Sequence, residues 1–158
     1  MNSLQAKEEA LRQAIELLFF AYRDFTGEAD QILEEYGFGR AHHRVIYFVG
    51  RNSGITVNQL LAILKITKQS LSRVLSQLIE EGFVEQNIDE NDRRRRLMTL
   101  SEKGISLDAL LIDAQSKRIS RAYANAGADA IDGFRTVLRN IINEEDRARI
   151  EPFFERDT

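Results

Sequence analysis

Thr67-Lys68-Gln69-Ser70-Leu71-Ser72-Arg73-Val74-Leu75-Ser76-Gln77-Leu78-Ile79-Glu80-Glu81-Gly82 is the stretch on which the reading of this chain turns. Leu71, Val74, Leu75, Leu78 and Ile79 recur at three- and four-residue steps, the period of a helix with one buried side. Thr67 supplies an N-cap and Gly82 a stop, so the spacing predicts a helix over Lys68 to Glu81. Its other side presents Lys68, Gln69, Ser70, Ser72, Arg73, Ser76 and Gln77 without a single acid. A solvated helix surface ordinarily alternates charges, so this face looks reserved for something anionic.

Working outward, Thr56 caps a shorter helix over Val57 to Leu64, with Leu60, Leu61, Ile63 and Leu64 on its buried side. Only Lys65-Ile66-Thr67 separates the two, which is helix-turn-helix spacing. Downstream, Phe83 to Ile88 and Arg95 to Leu100 read as strands joined by the turn residues Asp89-Glu90-Asn91-Asp92. Arg93, Arg94, Arg95 and Arg96 crowd the end of that hairpin, and Asp92 stands two residues before Arg94 as its expected brace. The expectation is a winged helix-turn-helix that grips double-stranded DNA. Thr67, Lys68, Gln69, Ser70 and Ser72 lie where a recognition helix meets base edges; Gln suits adenine and Lys or Arg suits guanine. Arg73 and Ser76 fall where phosphates or the next base step are met. The wing arginines suit a narrow minor groove, whose negative potential attracts them.

The flanks read as helices with more apolar surface than one small domain covers. Leu4 to Glu35 carries Leu11, Ala14, Ile15, Leu18, Phe19, Tyr22, Phe25, Ala29, Ile32 and Leu33 at helical spacing, interrupted by Gly27. Arg40 to Arg51 follows, then the turn Asn52-Ser53-Gly54 and a short extended piece at Ile55-Thr56-Val57. After the wing, Ser101 caps a helix from Glu102 to about Ala126; helices over Asp129 to about Asn143 and Asp146 to Glu155 close the chain. The fold class is mainly α with a small β-hairpin wing. Residues 1–36 form an N-terminal dimerisation helix, 37–104 the winged helix-turn-helix, and 105–158 the C-terminal dimerisation helices. A partner copy of the chain is expected to cover the long apolar stripes.

Composition narrows the function classes. The 158 residues are 43% hydrophobic and 30% charged, as in a folded domain. Cysteine is absent, which removes disulfides, cysteine zinc sites and thiol switching. No apolar run reaches membrane-spanning length and the first residues lack a signal core, so a cytoplasmic protein away from membranes is expected. The net charge of −3 is unevenly spread. Residues 1–36 hold three basic against eight acidic groups, whereas no Asp or Glu occurs between Gly37 and Ile79. A basic central region between acidic ends fits a local phosphate contact better than indiscriminate polyanion binding. No phosphate loop, nucleophile–base pair or metal cluster appears, so catalytic residues, metals and cofactors are expected to be none. His42 and His43, adjacent in sequence, point to different helix sides and do not make one metal site.

Residues 40–104 resemble the MarR family of bacterial winged-helix repressors. The resemblance rests on Ile55-Thr56-Val57-Asn58-Gln59-Leu60-Leu61, Thr67 to Leu75, Leu78 to Val84, Asp92 to Leu97, and Leu100-Ser101-Glu102-Lys103-Gly104. It implies a homodimer with interlocked terminal helices, two winged lobes on a palindromic operator, and a repressor released by a small aromatic or acidic ligand. The family's Asp-x-Arg wing motif falls on Asp92 and Arg94. Tyr22, Arg40, His42 and His43 are the candidate ligand contacts, with Phe25 as a second ring to stack on and Arg44 as a further cation to meet a carboxylate. The reading favoured for both histidines is that they are ordinary residues at a core edge or interface. The competing function class is a winged-helix protein-assembly module, with the wing arginines meeting an acidic partner.

Overall fold

The computed structural model describes residues 2–153, which divide within one helix into two compact units, up to Ser116 and from Lys117 onward. In the first unit, α1 (Ser3–Glu34), α2 (Arg40–Arg51), α3 (Val57–Leu64) and α4 (Lys68–Glu80) precede strands β2 (Val84–Ile88) and β3 (Arg96–Leu100) and helix α5 (Glu102–Ala126). The short β1 (Ile55–Thr56) lies between α2 and α3. The second unit holds the end of α5, then α6 (Ala128–Ile141), α7 (Glu144–Ile150) and a 3-10 turn at Glu151–Phe153. The last expected helix is thus shorter and ends in that turn; Phe154 and Glu155 lie outside the described residues.

Local chemistry sets most boundaries. Asn2 and Gln5 exchange side chain-to-backbone hydrogen bonds of 2.9 and 3.0 Å at the start of α1, a reciprocal box that Thr56 and Gln59 repeat at α3. Gly27 does not break α1, which runs through it. A lone glycine weakens a helix by about 1 kcal/mol, and the packing of Thr26, Ala29 and Leu33 on either side outweighs that. Gly82 adopts φ 82° beyond α4, where its missing Cβ avoids the left-handed penalty.

The strands form one antiparallel sheet of order β1-β3-β2, with Ile55 opposite Met98 and Val84 opposite Leu100. The expected hairpin is therefore a three-stranded sheet. Two residues of the extended piece before α3 find unpaired backbone groups on β3, a pairing with no local sequence signal. The core gathers Ala29 and Leu33 of α1, Val45, Ile46 and Val49 of α2, Leu60 of α3, and Leu71, Val74, Leu75 and Leu78 of α4. Phe83, Val84, Met98, Leu107 and Leu111 close it from the sheet and α5. No described helix is long and apolar enough to cross a membrane.

Candidate nucleic-acid interface

Helix α3 ends at Lys65, which takes the left-handed conformation at φ 51° and donates its amide to the Leu61 carbonyl at 2.9 Å. That reversal allows a three-residue turn. Thr67 then caps α4: its hydroxyl accepts the Ser70 amide at 3.1 Å and donates to the Ser70 hydroxyl at 2.9 Å. Leu71, Val74, Leu75 and Leu78 fix the buried side of α4, so the expected polar face must point out. Lys68, Gln69, Ser72, Arg73 and Ser76 are exposed, and Ser70 is half-buried. Thr67 and Ser70 are partly used up in the cap, which leaves Lys68, Gln69, Ser72, Arg73 and Ser76 as the groups with donors to spare. Gln77 is held inward, accepting from His42 Nε2 at 2.7 Å.

The wing differs in detail from its expected bracing. Asp92 Oδ1 accepts the backbone amide of Arg94 at 3.1 Å, and the Asp92 carbonyl accepts the Arg95 amide at 2.9 Å. The Asp92–Arg94 relation is thus an Asx-type turn rather than an ion pair. A carboxylate two residues back reaches the amide without ordering a long guanidinium. The acid–arginine pair belongs instead to Asp89 and Arg95, 3.8 Å apart. Counting the ladder outward from Ile88 opposite Arg96 puts these two across the turn, a signal available once the register is known. Arg96 is half-buried and donates to the Arg93 carbonyl at 2.8 Å. Among the described residues the side chains of Arg93 and Arg94 have no hydrogen-bond or ion-pair partner, and both are exposed.

The four candidate ligand residues do not form one cluster. Tyr22 and Arg40 come together, with the guanidinium 5.7 Å from the ring centre. Arg40 is also held by Asp30 at 3.2 Å and Thr26 at 3.3 Å. Arg44, the further cation that the sequence offers for a carboxylate, joins this pair and donates to the Tyr22 hydroxyl at 3.0 Å. His42 faces α4 instead. Burial pushes His43 below the usual histidine range, with Asp30 opposing and Arg44 reinforcing that shift, so it is neutral at physiological pH. Among the described residues no group of three His, Cys, Asp or Glu could hold a metal ion.

Comparison with known proteins agrees with this architecture. Residues 36–95 match a family model described as MarR family. The HTH-type transcriptional regulator PetP of Rhodobacter capsulatus is 47% identical over 136 residues, covering 86% of this chain and 82% of PetP. A crystal structure of a MarR family transcription regulator superposes with a TM-score of 0.75 at 15% identity, covering 99% of this chain and all of that one. Streptococcus pneumoniae FabT, solved in complex with DNA, gives a TM-score of 0.64 at 17% identity over 89% of this chain and 94% of its own. With a regulator of this similarity matched along most of both chains, and a winged helix-turn-helix carrying the shared motifs, the chain belongs to the MarR family of DNA-binding transcriptional regulators, which are not enzymes.

Proposed function

We propose that the protein is a cytoplasmic homodimeric repressor that reads a palindromic operator with α4 and steadies itself with the wing. The observation that carries this is the outward face of α4, where Lys68, Gln69, Ser72, Arg73 and Ser76 are exposed with no acid among them. Gln69 and Lys68 stand in its first turn, where a helix entering the major groove presents donors and acceptors to base edges. Arg93 and Arg94, unencumbered at the wing, supply the phosphate or minor-groove contacts; Arg95 and Arg96 chiefly shape the turn. FabT, of the same fold, was solved on DNA.

Symmetry of the operator follows from a dimer. Support for the dimer is the exposed apolar side of α1, where Leu11, Ile15 and Phe19 are 60, 70 and 63% exposed in the single chain. Residues 1–36 and 105–158 would make the dimerisation elements around the reader at 37–104. Release by a small acidic aromatic ligand is supported by the meeting of Tyr22, Arg40 and Arg44, where an incoming carboxylate would compete with Asp30 for Arg40.

The test is selection of bound duplexes from a randomised pool, followed by Gln69→Ala and Arg73→Ala. Gln69→Ala is expected to lower affinity for the selected site by about tenfold and to relax one base position. Arg73→Ala is expected to weaken all duplexes alike. A pool that yields no preferred sequence at low salt would overturn the proposal.

A further inference from the structure

Gln77 belongs by sequence to the polar face of α4, yet it is half-buried and turned toward α2. Its partner, His42, sits in the first turn of α2, and its ring is held on three sides. The Gly39 backbone amide donates to His42 Nδ1 at 3.0 Å. A backbone N–H can only donate, so Nδ1 carries no proton and the neutral ring has its hydrogen on Nε2. Nε2–H then donates to Gln77 Oε1 at 2.7 Å. Phe38 stacks on the ring with centroids 4.7 Å apart and planes 13° from parallel, and itself meets Phe83, at the foot of the wing, edge-on at 5.2 Å.

We propose that His42 is a positioning residue for DNA reading: locked as the Nε2–H tautomer by Gly39 and stacked on Phe38, it fixes the rotation of α4 through Gln77. This rests on the reading of α4 as the base-reading helix. Apolar packing through Leu71, Val74, Leu75 and Leu78 sets which side of α4 is buried, but it is non-directional and leaves the last few degrees of rotation about the helix axis to directional contacts. A hydrogen bond is directional, and this one joins the C-terminal half of α4 to the joint between α1 and α2. A small rotation of α4 would displace Gln69, Ser72 and Arg73 together, so the bond acts on which bases are read more than on whether DNA is held.

Two measurements test it. In the free protein at neutral pH, long-range nitrogen–proton NMR of the imidazole is expected to show His42 as the Nε2–H tautomer. An Nδ1–H or doubly protonated ring would overturn the proposal. His42→Phe keeps a ring against Phe38 and deletes the bond, and Gln77→Leu deletes it from the other side. With a duplex selected by the wild type, each variant is expected to lose about fivefold to tenfold in affinity. The double variant should be no worse than either single, and binding to a scrambled duplex should be unchanged. Additive losses, or equal losses on both duplexes at unchanged thermal midpoints, would overturn it. If the wild type prefers no sequence, the reading of α4 fails, while the tautomer still decides whether the imidazole link to Gln77 exists.

Discussion

Asp108, on α5, is buried, and its Oδ1 has no hydrogen-bond partner among the described residues. Its carboxyl lies against Gly50 of α2, and burial raises its pKa from 3.8 to about 6. Between those values the native state holds a proton that the unfolded chain has released. Stability therefore falls as pH rises through that window and stays lowered above it. Asp108→Asn should raise stability at pH 7 by on the order of 1–2 kcal/mol, discounted for the solvent at the carboxyl edge, and flatten the pH dependence between 4 and 6. Denaturant melts across that range check both; a less stable variant at pH 7 would contradict the assignment. Gly104 makes the opposite case. A Cβ there would overlap the Phe83 carbonyl, whose backbone is fixed by accepting the Ser101 amide at 3.1 Å. Gly104→Ala should cost about 2–3 kcal/mol in thermal or chemical unfolding, because neither backbone segment has room to yield.

The wing is the element whose chemistry divides most clearly. Arg93 and Arg94 have no side-chain partner among the described residues, whereas Arg95 is tied to Asp89 and Arg96 to the Arg93 carbonyl. Replacing Arg93 and Arg94 with alanine should lower DNA affinity and flatten its logarithmic salt dependence by about 1 for each phosphate that is no longer neutralised. Asp89→Ala should act through turn geometry, reducing affinity without the same change in slope. Titrations at several salt concentrations separate the two, and an unchanged slope for the arginine double variant would remove the wing from the interface. The reason this division is only half legible in the sequence is physical. Helix α4 announces itself through periodicity, cap and stop, all local. The roles of four neighbouring arginines depend on strand register and on which backbone groups a turn leaves open. Asp92 is recognisable as a turn residue, but its target, the Arg94 amide, follows from turn geometry. The pairing of Ile55-Thr56 with β3, the inward turn of Gln77 and the burial of Asp108 are likewise products of tertiary packing, invisible to spacing.

At the scale of the molecule, the unsatisfied surface is apolar. Leu11, Ile15 and Phe19 on α1, with Val137 and Ile141 on α6, are more than half exposed in the single chain. Within the second unit Ile119, Tyr123, Ile131 and Phe134 border an apolar hollow of about 300 Å³. Exposed apolar stripes of this length on helices are covered in stable proteins, and the periodicity of the sequence already calls for a partner. Leu11→Glu combined with Ile15→Glu should convert the proposed dimer to monomers or aggregates in analytical ultracentrifugation; a variant that remains dimeric would place the interface elsewhere. The central claim, a symmetric dimer placing two copies of α4 in successive major grooves, is tested most directly by hydroxyl-radical footprinting on a duplex selected from a randomised pool. The expected result is two equivalent protected half-sites related by a dyad, with centres about one helical turn or a multiple of it apart. A single asymmetric footprint, or protection that is the same on scrambled DNA, would contradict it.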